Sequence, residues 1–434
     1  MSLRFYIHTM GCQMNEYDSE LISGLLRAEG FEPALSAGEA DIVLANTCAV
    51  RELAAEKAYS YLGSILKKDK KSEQIVVMCG CVAEQDGAGA LKRMNGIDLV
   101  IGPSKIRNIG GILKDFLKNG RRKDYTGDAK VEWNKDSAIA RSSGEKAWVT
   151  ISKGCNSFCS YCVVPLARGR EESRPREDII ETAVKLINSG CREINLIAQN
   201  VNTYGKDVKG GGNFAELLGK VASLAGKFRV GFKTAHPRDF SEELLQTVES
   251  SKKTMRNFHL PLQSGSDRVL KLMNRGYDTE RYLEVAGKVR GLSGSSLTTD
   301  IIVGFPGETE EDFEGTLEMF ARAAFDSAYM FKYSPRKGTA ASKLGDTVPK
   351  GVKEERLARL MALQRKTGLA NNKPLVGSEQ EVLIDSETFS AGKVCGKTLS
   401  EKQVFFPAEK SLKGFVRVKI TSAGPFSLKG EPVK

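Results

Sequence analysis

Three cysteines stand close together in Gly154-Cys155-Asn156-Ser157-Phe158-Cys159-Ser160-Tyr161-Cys162, with C-x3-C-x2-C spacing. Three thiolates on one tight loop can each bind one iron of a [4Fe–4S] cluster. The fourth iron then has no protein ligand, and S-adenosylmethionine (SAM) can chelate it through its amino and carboxylate groups. An electron from the cluster can cleave the sulfonium to a radical, chemistry that belongs to the cofactor. A structural zinc site needs a fourth ligand. None is nearby, and the spacing is unlike the paired C-x2-C of zinc ribbons.

A second set is dispersed: Cys12, Cys48, and either Cys79 or Cys81. Each follows a stretch that reads as a strand. In an open α/β sheet the carboxyl ends of the strands form the ligand edge, so cysteines far apart in sequence converge there. The plainer alternative is three buried cysteines acting as small hydrophobes. None of them lies in a helix interior. A third set closes three further strand patterns: Ile197-Ala198-Gln199-Asn200, His259-Leu260-Pro261-Leu262-Gln263-Ser264-Gly265-Ser266 and Thr299-Asp300-Ile301-Ile302-Val303-Gly304-Phe305-Pro306-Gly307-Glu308. Polar groups and glycines at barrel strand ends read as a ligand site.

The elements that position these residues follow from periodicity. Over residues 1–103, strands at Leu3–His8, Asp41–Ala45, Gln74–Met78 and Leu99–Ile101 alternate with helices. Glu16–Glu29 carries an apolar face of Leu21, Ile22, Leu25 and Leu26 and stops at Gly30. A second helix runs through about Leu66. This is a doubly wound α/β pattern. Residues 104–145 read as a connector rich in Lys105, Arg107, Lys114, Lys118, Arg121, Arg122 and Lys123. It is either a solvated hinge or an RNA-contacting surface. From Ala147 a second series begins, with strands at Trp148–Ile151, Glu193–Ala198, Phe228–Phe232, Asn257–Leu260, Leu297–Val303 and Ser327–Lys332. Helices such as Arg176–Asn188 and Thr309–Arg322 lie between them. Six β/α units fit a partial (β/α)6 barrel. From 371 onward, strand-like runs (Glu379–Ile384, Lys402–Phe406, Gly414–Ile420) alternate with Gly, Ser and Pro. A small β-barrel of the oligonucleotide-binding kind fits. The boundaries are drawn at 1–125, a linker at 126–145, a core at 146–370 and the barrel at 371–434.

Nine cysteines in a chain with no signal-peptide pattern and no long apolar run point to the cytoplasm, reduced thiols and metal binding rather than disulfides. The three histidines, His8, His236 and His259, are few for a Cys/His zinc protein. A net charge of +11 favours an anionic macromolecular partner, nucleic acid above all.

The strings GCQMNEYDSE (11–20), ANTCAVR (45–51), GCVAEQ (80–85), GCNSFCSYCVVPLARGREESRPRE (154–177), LPLQSGSDRVL (260–270) and DIIVGFPGETEEDF (300–313) together resemble the methylthiotransferase family of radical SAM enzymes. The likeness runs across nearly the whole chain and implies an N-terminal cluster domain, a radical SAM core and a C-terminal barrel similar to a TRAM domain. It implies that Cys12, Cys48 and Cys81 hold an auxiliary [4Fe–4S] cluster, with Cys81 preferred over Cys79 because it occupies the GCVA position. It implies that Gln199, Gln263, Ser264, Asp300 and Gly304 lie around SAM. Cys191 and Cys395 match no ligand position of the family and read as structural.

The reaction so implied replaces an adenine C2–H by a methylthio group. SAM serves once as methyl donor to a sulfur on the auxiliary cluster and once as radical source. The substrate implied is N6-isopentenyladenosine at position 37 of tRNA, since Gln13-Met14-Asn15-Glu16-Tyr17 and Ala235-His236-Pro237-Arg238-Asp239 are similar to that subgroup. Relatives acting on threonylcarbamoyladenosine of tRNA or on a ribosomal-protein aspartate are alternatives. So is a non-catalytic iron–sulfur RNA-binding protein, against which the intact open-site cysteine loop argues. Implied partners are a tRNA anticodon stem-loop, a flavodoxin- or ferredoxin-type electron donor and a sulfur donor. Lys393, Lys397, Lys402, Arg417 and Lys419 are the expected phosphate contacts. Of Phe405 and Phe406, strand alternation lets one face outward to stack on a base.

Overall fold

The computed structural model describes residues 2–49, 52–68, 73–127, 132–133, 139–141, 144–390, 392–409 and 412–433. The chain divides into two compact units. One comprises Met1–Phe158, Cys162–Thr182 and Ile197–Gln199; the other comprises Cys159–Tyr161, Ala183–Leu196 and Asn200–Lys434. No described helix is long and apolar enough to cross a membrane.

The first unit is built on strands β1 (Arg4–Thr9), β2 (Glu32–Pro33), β3 (Ile42–Thr47), β4 (Ile75–Gly80), β5 (Leu99–Ile101) and β6 (Lys123–Tyr125). Their spatial order is β2-β1-β3-β4-β5-β6, and every neighbouring pair is parallel. β3 and β4 are buried along their whole length, as a parallel strand covered on both faces must be. Alternation splits their side chains between two cores. Leu44 and Val77 meet Tyr17, Leu21 and Leu26 of the helix Gln13–Ala28 on one face. Val76 and Met78 meet Tyr59 and Leu62 of the helix Glu52–Lys68 on the other. The helices after β1 and β3 thus depart to opposite faces. That reversal leaves a crevice at the carboxyl ends of these two adjacent strands.

The connector read from residue 104 is corrected here. Residues 103–125 form the 3-10 segment Pro103–Asn108, the helix Ile109–Asn119 and β6, all part of this unit. Its lysines and arginines give the segment a polar composition, but Ile109, Ile112 and Leu113 form a buried stripe at helical spacing. Gly120, at φ 60°, closes the helix. Residues 128–131, 134–138 and 142–143 of the expected linker, and the Val50-Arg51 end of the ANTCAVR string, lie outside the described residues. The unit continues through β7 (Lys146–Thr150) and the short antiparallel pair β8 (Ser152–Lys153) and β9 (Glu172–Ser173).

The second unit contains β10 (Glu193–Ile197, its last residue counted with the first unit), β11 (Arg229–Lys233), β12 (Asn257–His259), β13 (Ser296–Val303) and β14 (Ser327–Lys332). With β7 these make six β/α repeats in chain order. β12, β13 and β14 pair in parallel. Burial alternates along β13: Leu297, Thr299, Ile301 and Val303 are buried, while Thr298, Asp300 and Ile302 are half-buried.

The helix Lys350–Asn372, for which the sequence reading made no provision, leads into the C-terminal strands. These are β15 (Glu379–Ser390), β16 (Lys393–Lys397), β17 (Gln403–Pro407), β18 (Phe415–Ala423) and β19 (Ser427–Pro432), closed in the order β15-β16-β17-β19-β18. Val382, Val394, Val404, Phe406, Val418 and Leu428 fill the interior. Phe406 is 1% and Phe405 40% exposed, so Phe405 is the outward ring. Lys402 does not project as expected. Its ammonium donates to Asp326 Oδ1 at 2.6 Å and to Asn372 Oδ1 at 2.7 Å, so its charge is already spent inside the unit.

Candidate cysteine centres and cofactor site

Cys12 follows β1, Cys48 follows β3 and Cys81 follows β4, all on the carboxyl edge of the first sheet. A thiol–thiol hydrogen bond joins Cys12 and Cys48. It lowers the Cys12 thiol to about 6 despite burial, helped by the Arg168 charge. Cys81 is buried, which pushes its thiol up. Arg168 counters this: its Nε donates to Cys81 Sγ at 3.3 Å and its Nη2 to Asp18 Oδ2 at 2.7 Å. Burial disfavours the guanidinium charge, yet Asp18 and Cys81 hold it firmly protonated.

Cys79 is placed differently. It lies within β4 and points into the core that holds Leu44 and Val77, its Sγ donating to the Ala45 carbonyl at 3.5 Å. Gly80, at φ 92°, turns the chain so that Cys81 opens the next helix and belongs to the opposite core. A Cβ at Gly80 would sit 2.6 Å from Asn46 Oδ1.

A buried amide network ties these loops together. Asn15 Nδ2 donates to Asn46 Oδ1 and to the Thr47 carbonyl, both at 3.0 Å, and Asn46 Nδ2 returns a bond to the Asn15 carbonyl at 2.9 Å. Cys12 Sγ donates to Asn15 Oδ1 at 3.4 Å. Among the described residues, no three Cys, His, Asp or Glu side chains are grouped to hold a single metal ion. Three thiols from three loops with a cation against one of them fit the larger, anionic iron–sulfur cluster better than a lone ion.

Cys155 and Cys162 belong to the first unit. The Cys155 N–H donates to the Gly169 carbonyl at 3.1 Å, and Sγ of Cys155 and Cys162 accept from the Ser157 and Val164 N–H groups at 3.4 and 3.5 Å. Gly154, at φ 75°, admits the Arg170 carbonyl where a side chain would stand. Cys159 belongs to the second unit. There Ser160 N–H donates to the Met273 carbonyl at 3.0 Å and Ser160 Oγ to that of Leu272 at 2.8 Å. Arg275 Nη1 donates to Cys159 Sγ at 3.2 Å. All three cysteines are half-buried.

Of the five residues expected around SAM, four lie in the second unit. Gln263, at φ 71°, bridges β13: its N–H donates to the Asp300 carbonyl at 2.8 Å and its carbonyl accepts from Ile302 at 2.9 Å. Ser264 follows, fully buried. Asp300 lies on the half-buried side of β13, its Oδ2 3.4 Å from His259 Nε2. Gly304 is occupied by protein. Its N–H donates to Glu308 Oε1 at 2.8 Å, and the Lys353 stem fills the space of a Cβ. Gln199, in the first unit, is half-buried just past β10. Tyr277 OH holds the Pro261–Leu262 turn, donating to the Leu262 carbonyl at 2.7 Å.

Arg168, Arg275 and the Asn15–Asn46 pair escaped the sequence reading. Arg168 lies in the quoted 154–177 string, but nothing local marks it, since its sulfur partner is 87 residues away. The corresponding separation for Arg275 is 116.

The comparisons with known proteins match three successive segments of the chain. Residues 4–102 match Uncharacterized protein family UPF0004, 149–320 the Radical SAM superfamily and 373–433 the TRAM domain. The tRNA-2-methylthio-N(6)-dimethylallyladenosine synthase of Moorella thermoacetica is 43% identical, covering 99% of this chain and 98% of that protein. The protein of the same name from Carboxydothermus hydrogenoformans is 40% identical over 98% of both. Among solved structures, the radical SAM methyltransferase TsrM of Kitasatospora setae, with cobalamin and a [4Fe–4S] cluster bound, aligns with a TM-score of 0.59 at 15% identity. The alignment covers 79% of this chain and 74% of that one, a likeness of fold alone. At 40–43% identity from end to end with such synthases, and carrying a radical SAM segment between its two flanking domains, this chain belongs to the tRNA-2-methylthio-N(6)-dimethylallyladenosine synthase family of radical SAM enzymes.

Proposed function

We propose that the chain replaces the C2 hydrogen of N6-isopentenyladenosine at position 37 of tRNA by a methylthio group. The observation that carries this is the likeness to synthases named for that product, extending over the full length of both partners. In this reading Cys155, Cys159 and Cys162 hold one [4Fe–4S] cluster, and Cys12, Cys48 and Cys81 hold the other. When bound, the clusters and SAM supply the electron, the radical, the methyl group and the sulfur.

The chain's own residues orient and insulate. Arg168, fixed by Asp18, holds a positive charge against Cys81 inside the first unit. The Asn15–Asn46 network keeps the loops after β1 and β3 in register. Gln199, Gln263, Ser264, Asp300 and Gly304 line the SAM side. Gly304 does so through the turn it permits rather than through its N–H, which Glu308 already occupies. The target base must leave its stack to be reached, as base-modifying enzymes require, and the C-terminal barrel grips the stem-loop. The reaction belongs in the cytoplasm, where tRNA, a flavodoxin- or ferredoxin-type reductant and a sulfur donor are at hand.

Mass spectrometry of tRNA nucleosides from a strain lacking the gene tests the reading. The methylthio nucleoside should vanish, return with the wild-type chain and stay absent with Cys155→Ala. Unmethylthiolated N6-isopentenyladenosine should accumulate meanwhile. A full complement of the methylthio nucleoside in the deleted strain would refute it. Replacing Cys12, Cys48 and Cys81 by Ala should leave cleavage of SAM to 5′-deoxyadenosine intact and abolish the product. Product at the wild-type rate would contradict the two-cluster assignment.

A further inference from the structure

Arg275 is 5% exposed and lies just past the helix Asp267–Leu272. Asn274, at φ 55°, turns the chain there, and the Arg275 N–H closes back on the Leu270 carbonyl at 3.0 Å. The guanidinium spends its donors on neutral acceptors and one sulfur. Nη1 donates to Cys159 Sγ at 3.2 Å and to Tyr161 OH at 3.4 Å, Nη2 to the Pro261 carbonyl at 3.1 Å, and Nε to Tyr277 OH at 3.1 Å. Among the described residues it forms no ion pair with a carboxylate. Other buried arginines do: Arg168 with Asp18 at 2.7 Å, Arg229 with Glu193 at 2.5 Å and Arg356 with Glu308 at 2.7 Å.

A buried charge with no counter-ion is strongly unfavourable. Of the contacts of Arg275, Cys159 is the one that binding a cluster would make anionic at neutral pH. We infer that Arg275 is a positioning residue whose missing counter-ion is the thiolate-ligated cluster at Cys159, and that its charge raises that cluster's reduction potential. This rests on the cluster reading above. A [4Fe–4S]2+ core with three thiolates carries one net negative charge, and uptake of one electron from a low-potential donor adds a second. A fixed cation in hydrogen-bond contact with one ligand sulfur favours the more negative state. The Cys81 side offers the contrast, because there the Arg168 charge is already balanced by Asp18.

The test uses full-length protein with Cys12, Cys48 and Cys81 replaced by Ala, so that one cluster remains. It is reconstituted anaerobically and titrated with Ti(III) citrate under EPR, with Arg275 intact, as Arg275→Gln and as Arg275→Lys. With Arg275 intact, the protein should bind about four irons per chain. Arg275→Gln should cut the reduced-to-oxidised ratio at fixed potential at least tenfold, about 59 mV for one electron. Arg275→Lys, which keeps the charge, should stay within about threefold of the parent, a margin of roughly 30 mV on the same scale. No iron in the Arg275-intact protein overturns the cluster reading itself. Iron present but an unchanged Arg275→Gln titration overturns the role of Arg275 and leaves the cluster reading standing. If Arg275→Gln binds no iron, Arg275→Lys decides: iron at the parental potential supports the inference, and iron lost there too overturns it, since the side chain is then needed for packing rather than charge.

Discussion

Cys79 and Cys81 are two residues apart and chemically identical, yet their surroundings differ. The Cys79 thiol is spent on the Ala45 carbonyl within an apolar core, whereas Cys81 meets a guanidinium. Cys79→Ala should therefore retain nearly all iron after reconstitution, at a cost of ~1 kcal/mol or less for so small a loss of volume. Cys81→Ala should lose most of the auxiliary iron. Iron analysis of the two proteins checks this, and the reverse pattern would exchange their roles. His236 gives a second prediction at this scale. Burial, then the charges of Arg275 and Arg238, press its imidazole down to about 2. Its unfolded value is about 6.5. Between those values the unfolded chain binds a proton that the folded chain refuses, so this contribution is complete above about pH 6.5 and falls on acidification. The slope is at most ~1.4 kcal/mol per pH unit. In urea unfolding of iron-free protein from pH 6.5 to 5, His236→Gln should show a shallower loss than wild type. Equal slopes would clear His236.

Strand-to-helix junctions decide where the cysteines of the first unit stand. Gly80 matters most, because its positive φ and the nearness of Thr47 and Asn46 leave no room for a side chain. In Gly80→Ala the strained backbone alone costs ~1–3 kcal/mol. The methyl also presses on the residues just before Cys48. The variant should fold but keep about half its iron on reconstitution, one cluster of two, and should still cleave SAM. Full iron content would show that this junction does not place Cys81. The helix Ile109–Asn119 carries the opposite lesson. Its exposed lysines made it resemble a tether, and only its buried stripe reveals an integral layer of the domain.

At the scale of the second unit, the small barrel docks at the beginnings of strands, whereas the residues expected around SAM stand toward their other ends. The Lys397–Lys402 turn docks on strand beginnings. Arg229 donates to the Lys397 and Thr398 carbonyls at 2.9 Å, and Ser296 Oγ donates to that of Ser400 at 2.7 Å. Gln263, paired with Ile301, lies about 17 Å along β13 from Ser296, and Gly304, just past its end, roughly 26 Å, at about 3.3 Å per residue. Lys393, exposed and opposite Pro407, is free to meet phosphate, whereas Arg417 and Lys419 face Glu381 and Glu379 across the strand pair. Lys393→Ala should lower the salt slope of tRNA binding by ~0.7–0.9. Lys419→Ala should lower it less, and Lys402→Ala not at all, although the last should reduce stability. Phe405→Ala should cost about 1–3 kcal/mol of binding if the ring stacks on a base. Affinities across a salt series measure all four. Equal slopes throughout would place the clamp elsewhere.

Local pattern alone determined much of this protein. The C-x3-C-x2-C loop, six β/α repeats, strand-rich C-terminus and the rule that only one of Phe405 and Phe406 faces outward were legible because each depends on spacing within one element, where periods of 2 and 3.6 residues act directly. The dispersed cysteines were legible as a set because sheet topology sends carboxyl ends to one edge. Spacing could not tell which core each of Cys79 and Cys81 joins, since that turns on one backbone torsion at Gly80. Nor could it find Arg168 or Arg275, or show that Lys402 is engaged by Asp326. Those outcomes are long-range electrostatics: a charge gains meaning from the partner beside it, and only the tertiary fold brings the partner there.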